Sequence, residues 1–113
     1  MNMFPKWYVP PHIRRRQKRS ASAVIQAVMT EFNIDKDNLT SNSRKKKPVR
    51  ARQVAWYVMS RNCPHMSYPQ MARILNRIDH TTALHGVRVV EQLVKIDGDF
   101  AAAVERVEMA LHD

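Results

Sequence analysis

From Val24 to Leu111 the apolar side chains recur at intervals of three and four, and no run alternates with a period of two. Val24, Ile25, Val28, Met29 and Phe32 form one such stripe. Phe100, Val104, Val107 and Leu111 form another, spaced by four, three and four. A 3.6-residue period puts each set on one face of an α-helix, whereas a half-buried strand needs alternation. The chain is therefore expected to be all-α, a bundle of short helices. Its 113 residues suffice for one small domain with a modest core, plus a tail.

Local signals place the helices. Ser20 or Ser22 can cap the first, which ends around Asn33. "IDKDNLTSNS" is turn-rich, with one helical turn near Asp37–Leu39. "RKKKPVRARQ" leads into a helix over 51–62, with Val54, Ala55, Tyr57 and Val58 buried and Trp56 or Met59 on its margins. "SYPQ" at 67–70 has the form of a capping box with proline in the first turn, opening a short helix through Asn76. Met71, Ile74 and Leu75 are its apolar residues. After the tight connection "NRI", Asp79 can cap a helix over 80–95 that buries Leu84, Val87, Val90, Leu93 and Val94. "DGD" at 97–99 separates a last helix. Three parts follow: a basic, aromatic extension over 1–19, a domain over 20–95, and a C-terminal helix over 96–113 packed on it or extending it. The pair 67–76 and 80–95, joined by a few residues, has the form of a helix-turn-helix.

Charge is distributed unevenly. Residues 1–52 hold thirteen Lys or Arg against three acids, a net of +10, while residues 53–113 come to −1. Such asymmetry points to a polyanion partner, nucleic acid before membrane. The single Cys63 excludes an internal disulfide framework, and no apolar run is long enough for a membrane span. "MNMFPKWYVPP" is too short and too broken by proline for an export signal. A reducing, cytoplasmic setting is expected.

The stretch "NRIDHTTALHGVR", Asn76 to Arg88, carries an acid, two histidines and two threonines. Catalysis needs convergent side chains, but Asp79, His80 and Thr81 fan around a helical turn. His80 and His85, five apart, lie about 140° off a common face, unlike helical metal ligands four apart. No catalytic residue, metal site or cofactor is expected. Groove contact suits these residues better. Thr81, His85, Arg88 and Gln92 form a polar stripe at spacings of four, three and four, with His80 and Thr82 flanking its start. Hydroxyls can bond bases or phosphates, threonine methyls can meet thymine methyls, and Asp79 can accept from cytosine N4. Such groups at the start of the second helix are where a recognition helix touches base edges. Gly86, on the same side, would allow close backbone approach. Lys45, Lys46, Lys47, Arg77 and Arg88 are cations suited to the phosphate backbone.

"VIQAVMTEFNI", "RARQVAWYVM" and "SYPQMARILNRIDHTTALHGVRVVEQL" together resemble the C-terminal DNA-binding domain of DnaA, the bacterial chromosomal replication initiator. The likeness spans some seventy residues and includes the D-H-T-T-x-L-H signature at Asp79–His85. It implies a helix-turn-helix bundle of the Trp-repressor and DnaA type. It also implies that Asp79, His80, Thr81, Thr82 and His85 read a nine-base-pair box in the major groove. Arg52 is implied to enter the minor groove, with Arg50 and Arg61 on the backbone. Three positions depart: Ile78 stands where the family has arginine, Gly86 where it has alanine, and Ala51 where proline is common. The sequence holds no GxxxxGK[ST] motif, so the resemblance implies the box reader without the ATPase.

The expected protein is thus a non-enzymatic, nucleoid-associated binder of double-stranded DnaA-box-like DNA, regulating bacterial or phage replication initiation. Two rivals stand beside it. One is a protein-interaction module acting on DnaA or its regulators, since residues 89–113 hold two basic and six acidic side chains. The other is a transcription regulator with the same DNA contacts.

Overall fold

A computed structural model describes residues 19–112, so the expected N-terminal extension lies, through residue 18, outside the described residues. The described chain forms α1 (Ala21–Phe32), α2 (Lys36–Leu39), α3 (Lys46–Asn62), α4 (Tyr68–Ile74), α5 (His80–Ile96) and α6 (Gly98–Ala110), with no strand among these residues.

Each helix end has a local cause. The Ser20 hydroxyl accepts from the Ala23 N–H at 3.1 Å and starts α1. Asn33, in the left-handed region at φ 49°, stops it. There the Ile34 and Asn33 N–H groups turn back to the carbonyls of Met29 and Thr30, which would otherwise lack donors. Asparagine tolerates this conformation because its short amide can bond locally. Asp35 caps α2 on the Asn38 N–H at 2.8 Å, one residue earlier than the sequence suggested, and Leu39 closes the turn into the core.

α3 is the axis of the bundle, and here the structure corrects two expectations. It begins at Lys46, not Ala51, taking the basic run into its first turn. Pro48 is compatible with that turn because the N–H groups there have no intrahelical acceptor. Trp56 and Met59 are fully inside while Tyr57 lies on the margin, the reverse of the sequence reading. α3 packs against every other helix, α5 most extensively, so no single stripe describes its buried surface.

The helix-turn-helix is α4 and α5. Ser67 and Gln70 form the expected capping box, and Asn76, at φ 61°, ends the first helix in a left-handed turn. The N–H groups of Asn76 and Arg77 return to the Arg73 and Ala72 carbonyls at 2.9 Å each. Met71, Ala72 and Leu75 are buried, whereas Ile74, expected inside, is 36% exposed. On α5 the deepest residues are Ala83, Gly86, Val87 and Val90, with Leu84 and Leu93 only half-buried. Asp97 caps α6 on the Phe100 N–H at 3.1 Å. Val104 and Val107 bury this helix against the rest, chiefly α1 and α5. None of the described helices is long and apolar enough to cross a membrane.

One residue joins the three helices that matter most for the site. The Trp56 indole of α3 donates to the Met71 carbonyl of α4 at 2.8 Å. Its ring lies so close to Gly86 of α5 that a Cβ there would stand 2.7 Å from Cε3. Gly86 therefore faces the core. The close approach it permits is to an aromatic ring, which corrects its expected place on the exposed stripe.

Candidate nucleic-acid interface

The start of α5 is fixed from below and open above. The Asp79 carboxylate accepts from the Thr81 N–H at 2.9 Å and so caps the helix it precedes. The Thr81 N–H and hydroxyl, with His80 beside them, hold the Asp79 carboxyl below the usual carboxylate range. Asp79, His80, Thr81, Thr82, His85, Arg88 and Gln92 are all exposed. Thr81, His85, Arg88 and Gln92 occupy the face of α5 opposite Ala83, Val87 and Val90, as a 3.6-residue period requires, and His80 and Thr82 flank its start. The stripe anticipated from spacing exists, and nothing else in the described chain covers it.

Beside this stripe runs an open groove of about 350 Å³ between α5 and the loop that links α2 to α3. Asn42, Ser43, Arg44, Arg77, Thr82 and His85 are among its walls. Two arginines hold that loop in place. Arg52 donates to the carbonyls of Leu39 and Ser41, each at 3.2 Å, and to that of Ser43 at 2.5 Å. Arg77 donates to the Ser41 carbonyl at 2.8 Å and to the Asn42 amide oxygen at 3.4 Å. Carbonyls of a loop tucked against the core need donors, and a guanidinium supplies several from one side chain.

Arg52 therefore cannot reach a groove of DNA as it stands. It is 4% exposed, and its donors are committed to the loop. Burial, with Arg77 nearby, holds its pKa below the usual arginine value. The minor-groove role implied by the resemblance is corrected to a structural one. Arg44 is the residue sequence reasoning missed: exposed, basic and lining the groove beside Thr82 and His85. It could have been found by starting α3 at Lys46, which would have left Arg44 in the loop.

The remaining cations divide. Arg61 belongs to another part of the molecule, where Nε meets the Glu108 carboxylate at 3.1 Å and the guanidinium stacks over Tyr57 at 5.4 Å. Arg50 is half-buried and donates to the Gln53 side chain at 2.6 Å. Lys45, Lys46 and Lys47 are exposed at the start of α3. Lys47 leans towards α1, donating to the Asn33 carbonyl at 3.0 Å. Cys63 is buried, its thiol donates to the Arg19 carbonyl at 3.0 Å, and burial pushes its pKa up. Among the described residues no three His, Cys, Asp or Glu side chains gather as metal ligands.

Residues 21–90 match the family described as bacterial dnaA protein helix-turn-helix. The chain belongs to this family. The matched segment runs from the first residue of α1 into α5, and α6 lies beyond it. Three relatives are each named chromosomal replication initiator protein DnaA. That of Brucella abortus is 36% identical over 97 residues, covering 85% of this chain and 19% of the relative. That of Bartonella quintana is 40% identical over 80 residues, covering 71% and 16%. That of Sphingopyxis alaskensis is 30% identical over 97 residues, covering 86% and 21%. The chain thus spans about one fifth of the length of the DnaA proteins it matches.

Proposed function

We propose that this DnaA-family domain binds double-stranded DNA sequence-specifically, with the start of α5 in the major groove of a DnaA-box-like site. The observation that carries the reading is the juxtaposition at one end of the bundle. A cluster of exposed hydrogen-bonding side chains, Asp79, His80, Thr81, Thr82 and His85, lies beside a loop that presents Arg44. The cluster supplies base readout, and Arg44, Arg77, Arg88 and the lysines 45–47 supply attraction to phosphate. Arg44 takes the groove-facing role that the resemblance assigned to Arg52. The domain would act in the cytoplasm, on the nucleoid, as a regulator or accessory of replication initiation.

The test is a gel shift on a box-containing duplex and its scrambled counterpart at about 150 mM salt, where non-specific binding is weak. His80→Ala or Thr81→Ala should cost about 1–3 kcal/mol on the box and little on the scrambled duplex. Equal losses on both would remove base readout from the reading. Arg44→Ala should weaken both and reduce the salt slope by about one.

One observation favours a second reading, an interaction module acting on DnaA or its regulators. α6 carries exposed Glu105 and Met109 away from the groove, on a surface that DNA would repel. Full preference for the box with every α6 surface charge replaced would count against it.

A further inference from the structure

Ile78 is 98% exposed, an isoleucine that buries almost nothing in the folded protein. Its backbone is held from both sides. The preceding Arg77 is tied to the Ser41 carbonyl at 2.8 Å, and the following Asp79 caps α5 on the Thr81 N–H at 2.9 Å. A β-branched side chain on a fixed backbone has few rotamers, so its apolar tip is presented with little freedom. The exposed residues nearest it in the chain are mostly polar, Arg73, Asn76, Asp79 and His80, with Ile74 36% exposed. What Ile78 adjoins is the cluster of side chains assigned above to base readout.

Isoleucine has no donor or acceptor for a base edge or a phosphate. The apolar group that the major-groove edge of a base pair offers is the 5-methyl of a pyrimidine. We infer that Ile78 is a specificity-determining residue that reads a pyrimidine 5-methyl group at the base pair next to those met by Asp79–Thr82. The inference rests on the DNA-binding reading proposed above. The methyl can come from thymine or from 5-methylcytosine, and both present the same apolar surface. Removal of that surface from water on binding is the gain that the free protein lacks.

The experiment measures binding of the whole chain and of Ile78→Ala to box duplexes in which each thymine in turn is replaced by uracil. A second series replaces each cytosine by 5-methylcytosine. Ile78 is outside the core, so the variant folds, as circular dichroism will verify. A methyl's worth of buried apolar surface corresponds to about a fourfold change in affinity. If thymine is the source, uracil at one position weakens the wild-type chain by about that factor and leaves Ile78→Ala unaffected. If 5-methylcytosine is the source, methylation at one position strengthens the wild-type chain alone. Wild type and Ile78→Ala responding alike at every position, with preference for the box over scrambled duplex intact, overturns the inference and spares the DNA reading. Loss of box preference in the wild-type chain overturns both.

Discussion

Arginines at the two ends of this bundle are bonded to different partners. Near the start of α5, Arg52 and Arg77 donate to backbone carbonyls and to an asparagine amide, all neutral. At the α6 end, Arg61 meets Glu108 at 3.1 Å and Arg106 meets Glu31 at 2.9 Å. A guanidinium bonded to a carboxylate loses most of its field at a distance, whereas one bonded to carbonyls keeps it. Both ends use arginine to fasten one segment to another, but only near the start of α5 are these arginines left without a carboxylate partner. The skewed charge of the sequence is thereby sharpened in space: α6 pairs an acid with Arg61 and an arginine with Glu31, and the groove beside α5 retains its cations.

The largest effect should come from removing the side chain that assembles the recognition end. Trp56→Ala would detach α4 and α5 from α3 and cost roughly 3–5 kcal/mol, readable as a fall in the urea midpoint. A midpoint close to wild type would mean that the recognition end does not depend on this ring. The comparison of arginines comes next. Arg52→Met should cost about 1.5–3 kcal/mol, because it leaves the Leu39 and Ser43 carbonyls without a charged donor. Arg61→Met should cost below about 1 kcal/mol, as expected of a pair whose arginine side chain is 56% exposed. Equal costs would erase the distinction between the two ends.

A smaller loss is expected from Gly86→Ala. Helix propensity favours alanine by about 1 kcal/mol, but the new methyl would overlap the Trp56 ring at 2.7 Å. Overpacking of this kind costs about 1–3 kcal/mol, so a net loss should remain. Pairing it with Trp56→Leu should recover part of that loss in a double-mutant cycle. Stabilisation by Gly86→Ala alone would show that the ring can move aside. The smallest effect concerns acid. Asp79 has its folded-state pKa depressed, so its contribution is present above the ordinary carboxylate pKa of about 3.9. It is lost as pH falls through the lower folded value. Asp79→Asn keeps a capping side chain and should remove that part of the acid-induced loss. An unchanged acid limb would show that the cap contributes nothing there.

Much of the fold was legible because its signals are local. Ser20, Asn33, the Ser67–Gln70 box and Asp79 act on backbone groups within a few residues, and spacing alone set the polar stripe of α5. The start of α3 was not legible, since a basic run with a proline reads as a linker until something packs against it. The candidate site was half legible. Thr81, His85, Arg88 and Gln92 stand exposed along α5 with His80 and Thr82 beside them, at the spacing read from the sequence. Arg52 and Gly86 were displaced from their assigned places by partners distant in sequence, Ser41 and Ser43 for the one and Trp56 for the other, and Arg61 is paired with Glu108.

The sequence by itself determined the class of fold, the two helices of the motif and the polar chemistry of the exposed face of α5, because periodicity and caps depend on near neighbours. Only the tertiary structure decided which arginines are free. An arginine side chain is long enough to reach a carbonyl ten residues away or a carboxylate on another helix. Whether it does so depends on which segments the apolar core brings within its reach.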